Sequence, residues 1–97
     1  IFVKMRALNF NGCQYIREIP DLCGVPNLQE LSFCHCENLI KIHGSVGLLD
    51  KLKILSANGC KKLRSFPPIK LTSLEILQLS FCHSLENFPE VLGKMEN

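Results

Sequence analysis

The chain has 97 residues, enough for one domain at most, and 46% of them are apolar, too many for a disordered tail. A net charge of +2 gives no argument for nucleic acid. No apolar run approaches the ~18 residues that suggest a membrane-spanning helix, and the opening Ile1-Phe2-Val3-Lys4-Met5 lacks the apolar stretch and cleavage site of a signal peptide.

The first predicted strand carries Met5, Leu8 and Phe10 and ends at Asn11-Gly12-Cys13, where Asn-Gly supplies a turn. Ile16 and Ile19 follow, then Pro20, which fixes φ and stops the chain from extending a strand or helix. Gly24 precedes the next strand, where a tight bend is expected. The second strand repeats the order with Leu28, Leu31, Phe33 and Cys36, then Leu39 and Ile42. His43 stands where the first coil has proline, and residues 45–51, with Gly47, suit a brief helix. The third runs Leu52, Leu55, Ala57, Cys60, Leu63, Phe66 and Pro67, and its Asn58-Gly59 repeats the turn. The fourth runs Leu74, Leu77, Leu79, Cys82, Leu85, Phe88 and Pro89, with Gly93 and a second brief helix expected over 90–96. Otherwise the return segments should be turns or single helical turns on the convex side.

Each unit fits L-x-x-L-x-L-x-x-C, and its cysteines step by 23, 24 and 22 residues. That lies inside the 20–29-residue period of leucine-rich repeats. The domain is one array of four coils, 5–27, 28–51, 52–73 and 74–97. Both ends fall inside the pattern, so the chain reads as part of a longer array. The expected fold is an α/β leucine-rich repeat solenoid: a right-handed coil, a parallel sheet on the concave face, and turns or short helices on the convex face. Residues two apart in a strand face the same way, so Leu31 and Phe33 both point inward. One such strand cannot bury its face alone, whereas stacked coils build a shared sheet and a continuous core. Neither end shows the cap that terminal coils normally need, so the isolated chain should be poorly stable.

Six cysteines invite a disulfide or metal reading. Cys13, Cys36, Cys60 and Cys82, however, occupy one repeat position, where an inward side chain can hydrogen-bond loop backbone otherwise buried and unpaired. Such a ladder needs reduced thiols, which points to the cytosol. Cys34-His35-Cys36 does not have paired zinc-knuckle spacing, and in the repeat register Cys36 points inward and Cys34 outward, so they do not easily share a metal. Cys23 and Cys34 lie off the ladder, with nothing basic evidently placed to lower a thiol pKa. No phosphate loop, dinucleotide fingerprint, zinc-protease motif or nucleophile–base pair is present, so neither catalysis nor a cofactor is expected.

The candidate binding surface is the set of strand positions between the core leucines. In the first coil these are Arg6, Ala7, Asn9, Asn11 and Gly12, and in the second Gln29, Glu30, Ser32, Cys34 and His35. The third gives Lys53, Ile54, Ser56, Asn58 and Gly59, and the fourth Glu75, Ile76, Gln78, Ser80 and Phe81. Ile54, Ile76 and Phe81 are its apolar members. A curved array of this kind suits a protein or peptide better than a small molecule. Away from it, Lys61, Lys62 and Arg64 lie in a stretch, 52–73, without any acid. That patch is either a solvated face or a docking site for a neighbouring domain.

Cys36-Glu37-Asn38-Leu39, Leu63-Arg64-Ser65-Phe66-Pro67 and the run from Leu85 to Asn97 resemble the repeats of plant intracellular immune receptors. The likeness is greatest to the TIR–nucleotide-binding–leucine-rich-repeat disease resistance class, and Ile19-Pro20-Asp21-Leu22 is similar to its first well-formed repeats. The resemblance implies a cytoplasmic or nucleocytoplasmic receptor whose repeats sense a pathogen effector or a guarded host protein. It also implies that the repeats help hold a nucleotide-binding domain of the same chain in its ADP-bound resting state. The NAD-cleaving and ADP-binding residues of such receptors are not in this sequence. His43, where the family usually has proline, departs from the pattern. A second reading is the binding module of an extracellular receptor or inhibitor, a class marked by L-x-G-x-I-P and N-x-[ST], both absent here. A third is a zinc or redox module, which metal content and thiol titration would test.

Overall fold

A computed structural model describes residues 2–69 and 73–86. The predicted helix over 90–96, Phe88, Pro89 and Gly93 lie outside the described residues. Four short strands, β1 (Ala7–Asn9), β3 (Glu30–Ser32), β5 (Ile54–Ser56) and β6 (Ile76–Gln78), form one parallel sheet in the order β1-β3-β5-β6. Leu8, Leu31, Leu55 and Leu77 are register partners across it. The L-x-x-L-x-L spacing forces this alignment, because a shift by one residue would turn every leucine to solvent. Leu28, Leu31 and Phe33 in the second coil and Leu52, Leu55 and Ala57 in the third are fully buried. Their counterparts Leu8, Phe10, Leu77 and Leu79 in the outer coils are half-buried, each with a described coil on only one side.

A second sheet was not expected from the sequence. β2 (Glu18–Ile19) and β4 (Lys41–Ile42) pair in parallel on another side of the coils, with Ile19 against Ile42. The return segments are therefore partly extended, because stacking offers them the same backbone partners that it offers the main strands. Glu18 and Lys41 face each other across this pair at 3.9 Å, both exposed.

The helix expected over 45–51 is a 3-10 helix, Gly44–Leu48, shorter and starting one residue earlier. His43 explains the start. Its Nδ1 accepts the backbone N–H of Ser45 at 3.1 Å, an N-cap that proline could not provide. The buried Ser45 hydroxyl in turn accepts the Leu22 N–H at 2.8 Å, tying the second coil to the first. Gly24 lies in the turn expected of it, whereas Gly47 lies within the 3-10 helix. Gly47 is small for packing instead: a Cβ there would lie 2.0 Å from the carbonyl oxygen of Pro68 in the next coil.

Candidate functional site

The interior of the coil end is held by thiols. Cys36 Sγ donates to Phe10 O at 3.1 Å, Cys60 Sγ to Phe33 O at 3.0 Å, and Cys82 Sγ to Ala57 O at 3.0 Å. Each acceptor is the carbonyl of the last core residue before the cysteine position of the preceding coil. The sequence placed these cysteines inward, and the structure shows that their bonds run between coils. Cys13, in the first coil, has no such acceptor among the described residues. Burial pushes the Cys60 thiol up to about 12 and raises Cys36 and Cys82 as well, so these thiols stay protonated donors. Exposed Cys23 is also raised, first by its hydrogen bond with Asp21. Asp21 is correspondingly lowered, chiefly by the backbone N–H of Cys23, with His43 at 4.0 Å contributing less.

Asp21, His43 and Ser45 look at first like a relay. Both neighbours, however, meet the same ring nitrogen, Nδ1, at 4.0 and 3.0 Å. Proton relay through imidazole uses its two different nitrogens, so this cluster joins coils and has no relay geometry. Among the described residues no three His, Cys, Asp or Glu side chains gather as a metal site requires. No helix among them is long and apolar enough to cross a membrane.

The outward strand positions form ordered rows on the sheet. Arg6, Gln29, Lys53 and Glu75 are joined in series by backbone bonds from each residue's N–H to the preceding coil. Ala7, Glu30, Ile54 and Ile76 are register partners, as are Asn9, Ser32, Ser56 and Gln78. The next row, Asn11, Cys34, Asn58 and Ser80, ends the strands. All seventeen of the charged, polar and apolar surface candidates are exposed or half-buried. Ile54 and Ile76 lie side by side, while Phe81 stands at the far end of the sheet in the last row, 71% exposed, its ring edge-on to His83 at 6.2 Å.

Several of these side chains are already committed to one another. Asn11 Oδ1 accepts from Ser32 Oγ at 2.6 Å and from the Cys34 N–H at 2.7 Å. Asn58 Oδ1 accepts the Ser80 N–H at 2.8 Å, and Ser56 Oγ donates to Gln78 Oε1 at 3.0 Å. These amides brace adjacent coils, which leaves the charged row and the two isoleucines as the groups freest to meet a partner. The last row holds Gly12, His35, Gly59 and Phe81, all left-handed at φ of 74°, 58°, 76° and 63°. Gly59 was expected on the surface but is buried, because the His35 ring lies over it.

The basic patch lies away from this sheet, and its three cations are exposed. Lys62 Nζ donates to Asn38 Oδ1 at 3.1 Å, while Asn38 Nδ2 donates to Gln14 O at 2.6 Å. Lys62 and Arg64 line a groove of about 460 Å³ together with Ile40 and Ser84. Lys61 does not reach it. Ile40 and the fully exposed Tyr15 were missed on this side. Their signal was their register: each sits between inward residues of its return segment.

The Leucine Rich Repeat family profile matches residues 73–95, the fourth coil. The fold is that of leucine-rich repeats. TMV resistance protein N of Nicotiana glutinosa is 37% identical to this leucine-rich repeat chain over 93 residues, 96% of the chain and 8% of the relative. Disease resistance protein RPP4 of Arabidopsis thaliana is 40% identical over 89 residues, 91% of the chain and 8% of the relative. Disease resistance protein RPP5, also of Arabidopsis thaliana, is 40% identical over 89 residues, covering 91% of the chain and 6% of the relative. The leucine-rich repeat chain thus spans less than a tenth of the length of these plant disease resistance proteins. No solved structure matches it significantly.

Proposed function

We propose that the chain is the protein-recognition and autoinhibitory leucine-rich repeat part of a plant intracellular immune receptor. The concave sheet meets a pathogen effector or a guarded host protein. The patch of Lys61, Lys62 and Arg64 docks a nucleotide-binding domain of the same protein. Likeness to proteins named for disease resistance over nearly the whole chain supports the receptor class. The observation that carries the recognition role is the continuous sheet with Ile54 and Ile76 paired on its outward face, between a charged row and a polar one. Buried apolar anchors ringed by polar groups are how protein partners gain most of their affinity. The groove beside Ile40 supports the docking role, because it combines two cations with an apolar lining. A cytoplasmic setting fits six thiols without a disulfide.

The full-length receptor expressed in leaf tissue provides the test. Ile76→Ser with Phe81→Ser should abolish the response to the cognate pathogen while the resting receptor stays silent and accumulates normally. Reversing charge at Lys61, Lys62 and Arg64 should raise signalling without pathogen. An undiminished response in the first variant removes the concave site, and unchanged background in the second removes the docking role.

A further inference from the structure

We propose that Ser65 is a phosphorylation site, served by a serine kinase that recognises basic segments, and that the phosphate switches off the basic patch beside it. The switching half rests on the docking role given above to Lys61, Lys62 and Arg64. Ser65 is exposed, and residues 63–68 belong to neither helix nor sheet. Buried Leu63 and Phe66 anchor this segment on either side, so Arg64 and Ser65 are held outward between them. Lys61, Lys62 and Arg64 precede the hydroxyl by four, three and one residues, and all three are exposed. Kinases choose substrates in part by such charge patterns. The other serines offer less. Ser80 and Ser84 are exposed but have no Lys or Arg in the four residues before them, and the hydroxyls of Ser32 and Ser56 already donate to Asn11 and Gln78. In the transfer, Ser65 Oγ forms a bond to the γ-phosphorus of ATP as that phosphorus parts from its bridging oxygen. ADP leaves with the electron pair, and the hydroxyl proton passes to a base of the kinase.

The surroundings suit a phosphate. Glu18, Lys41 and Ser65 share one repeat position in successive coils, five residues after the ladder cysteine. The backbone keeps that register: Glu18 pairs with Lys41, and the Arg64 N–H donates to Ile40 O at 3.0 Å in the coil before it. Lys41 now reaches Glu18 at 3.9 Å. A phosphate on Ser65 stands on the other side of Lys41 and competes for it, with Arg64 adjacent in the chain. Charge-assisted bonds of this kind are what a phosphoserine gains beside cations. Glu86, whose N–H donates to Arg64 O, is an opposing acid in the next coil. The phosphate brings about −1.5 to −2 charges at pH 7, which leaves the patch of three cations with a net charge of about +1. Lys62 and Arg64 line the groove with Ile40 and Ser84. Once they face a phosphate of their own chain, they no longer offer full charge to a partner domain, so phosphorylation opposes docking.

Full-length receptor purified from leaf tissue, resting and after pathogen challenge, tests the site by mass spectrometry of the peptides that contain Ser65. A phosphoryl group on Ser65 is expected, and Lys61→Gln with Lys62→Gln should lower its occupancy roughly tenfold, the size of two lost charge contacts with a kinase. No phosphate on Ser65 in either tissue overturns the site, and so does an occupancy indifferent to the two lysines. Signalling without pathogen tests the switch. Ser65→Glu should raise it and Ser65→Ala should leave it silent, measured beside the receptor with Lys61, Lys62 and Arg64 reversed in charge. Background raised by the charge reversal but not by Ser65→Glu overturns the switch. Background unchanged in both removes the docking role and the switch with it, while the occupancy of Ser65 still decides the site.

Discussion

Gly59 meets two demands of the structure at once, a left-handed backbone and a close neighbour. Its φ is +76°, and a Cβ built on it would lie 2.3 Å from Nδ1 and 2.6 Å from Cε1 of His35. Gly59→Ala therefore has two costs. Holding an L residue in the left-handed region costs about 1–2 kcal/mol. Moving the imidazole off its resting place costs about another 0.5–1.5 kcal/mol in rotamer strain. A loss of about 1 kcal/mol shifts the Tm of a domain this size by roughly 4–8 °C, so the variant should melt about 10 °C or more below the parent. In a His35→Gly background only the backbone cost remains, about 1–2 kcal/mol. Gly24→Ala is the control: nothing lies within 4 Å of its Cβ and its φ is outside the left-handed region, so stability should change by less than about 0.5 kcal/mol. Urea titration of the four proteins, with matching single and double variants at His35, yields the coupling directly. The reasoning fails if Gly59→Ala is as silent as the control, or if its cost is the same with and without the His35 ring.

Other substitutions probe the remaining contacts. Cys60→Val should cost about 1–3 kcal/mol in urea unfolding, because Phe33 O loses its donor in a fully buried setting, whereas Cys60→Ser should recover part of the loss. Leu55→Ala, at the centre of the core, should cost about 2–5 kcal/mol by the same assay, and an effect below that of Leu77→Ala in the half-buried outer coil would contradict the packing order. Stability should also fall in alkali. A thiol raised to about 12 in the folded chain against 9.0 unfolded keeps its proton longer when folded, so its contribution is complete below pH 9 and is lost as pH climbs toward 12. Thermal melts flat across that window would refute the buried-thiol account. At neutral pH, alkylation should label exposed Cys23 slowly, held back by Asp21, and Asp21→Asn should quicken it.

The sequence alone determined the repeat, the strand register, the inward cysteines and the outward rows, because each follows from the period of inward side chains. With apolar residues at fixed intervals, only one alignment of neighbouring strands hides them all. The site was legible to the same depth: which residues face outward follows from alternation, as with Ile54 and Ile76. Sequence could not say that Asn11 and Asn58 are occupied as braces, since their partners, Cys34 and Ser80, stand 23 and 22 residues away. It could not give Gly47 its reason, which is the Pro68 carbonyl of another coil, nor turn the vacant proline position at His43 into a helix cap. The second sheet, Ile19 beside Ile42, was hidden for the same cause: two residues are too short to announce a strand, and only stacking supplies the partner that makes them one. Local chemistry fixes which way a side chain faces. What it then touches depends on residues brought near by the coil, and that distance in sequence carries no signal within a single repeat.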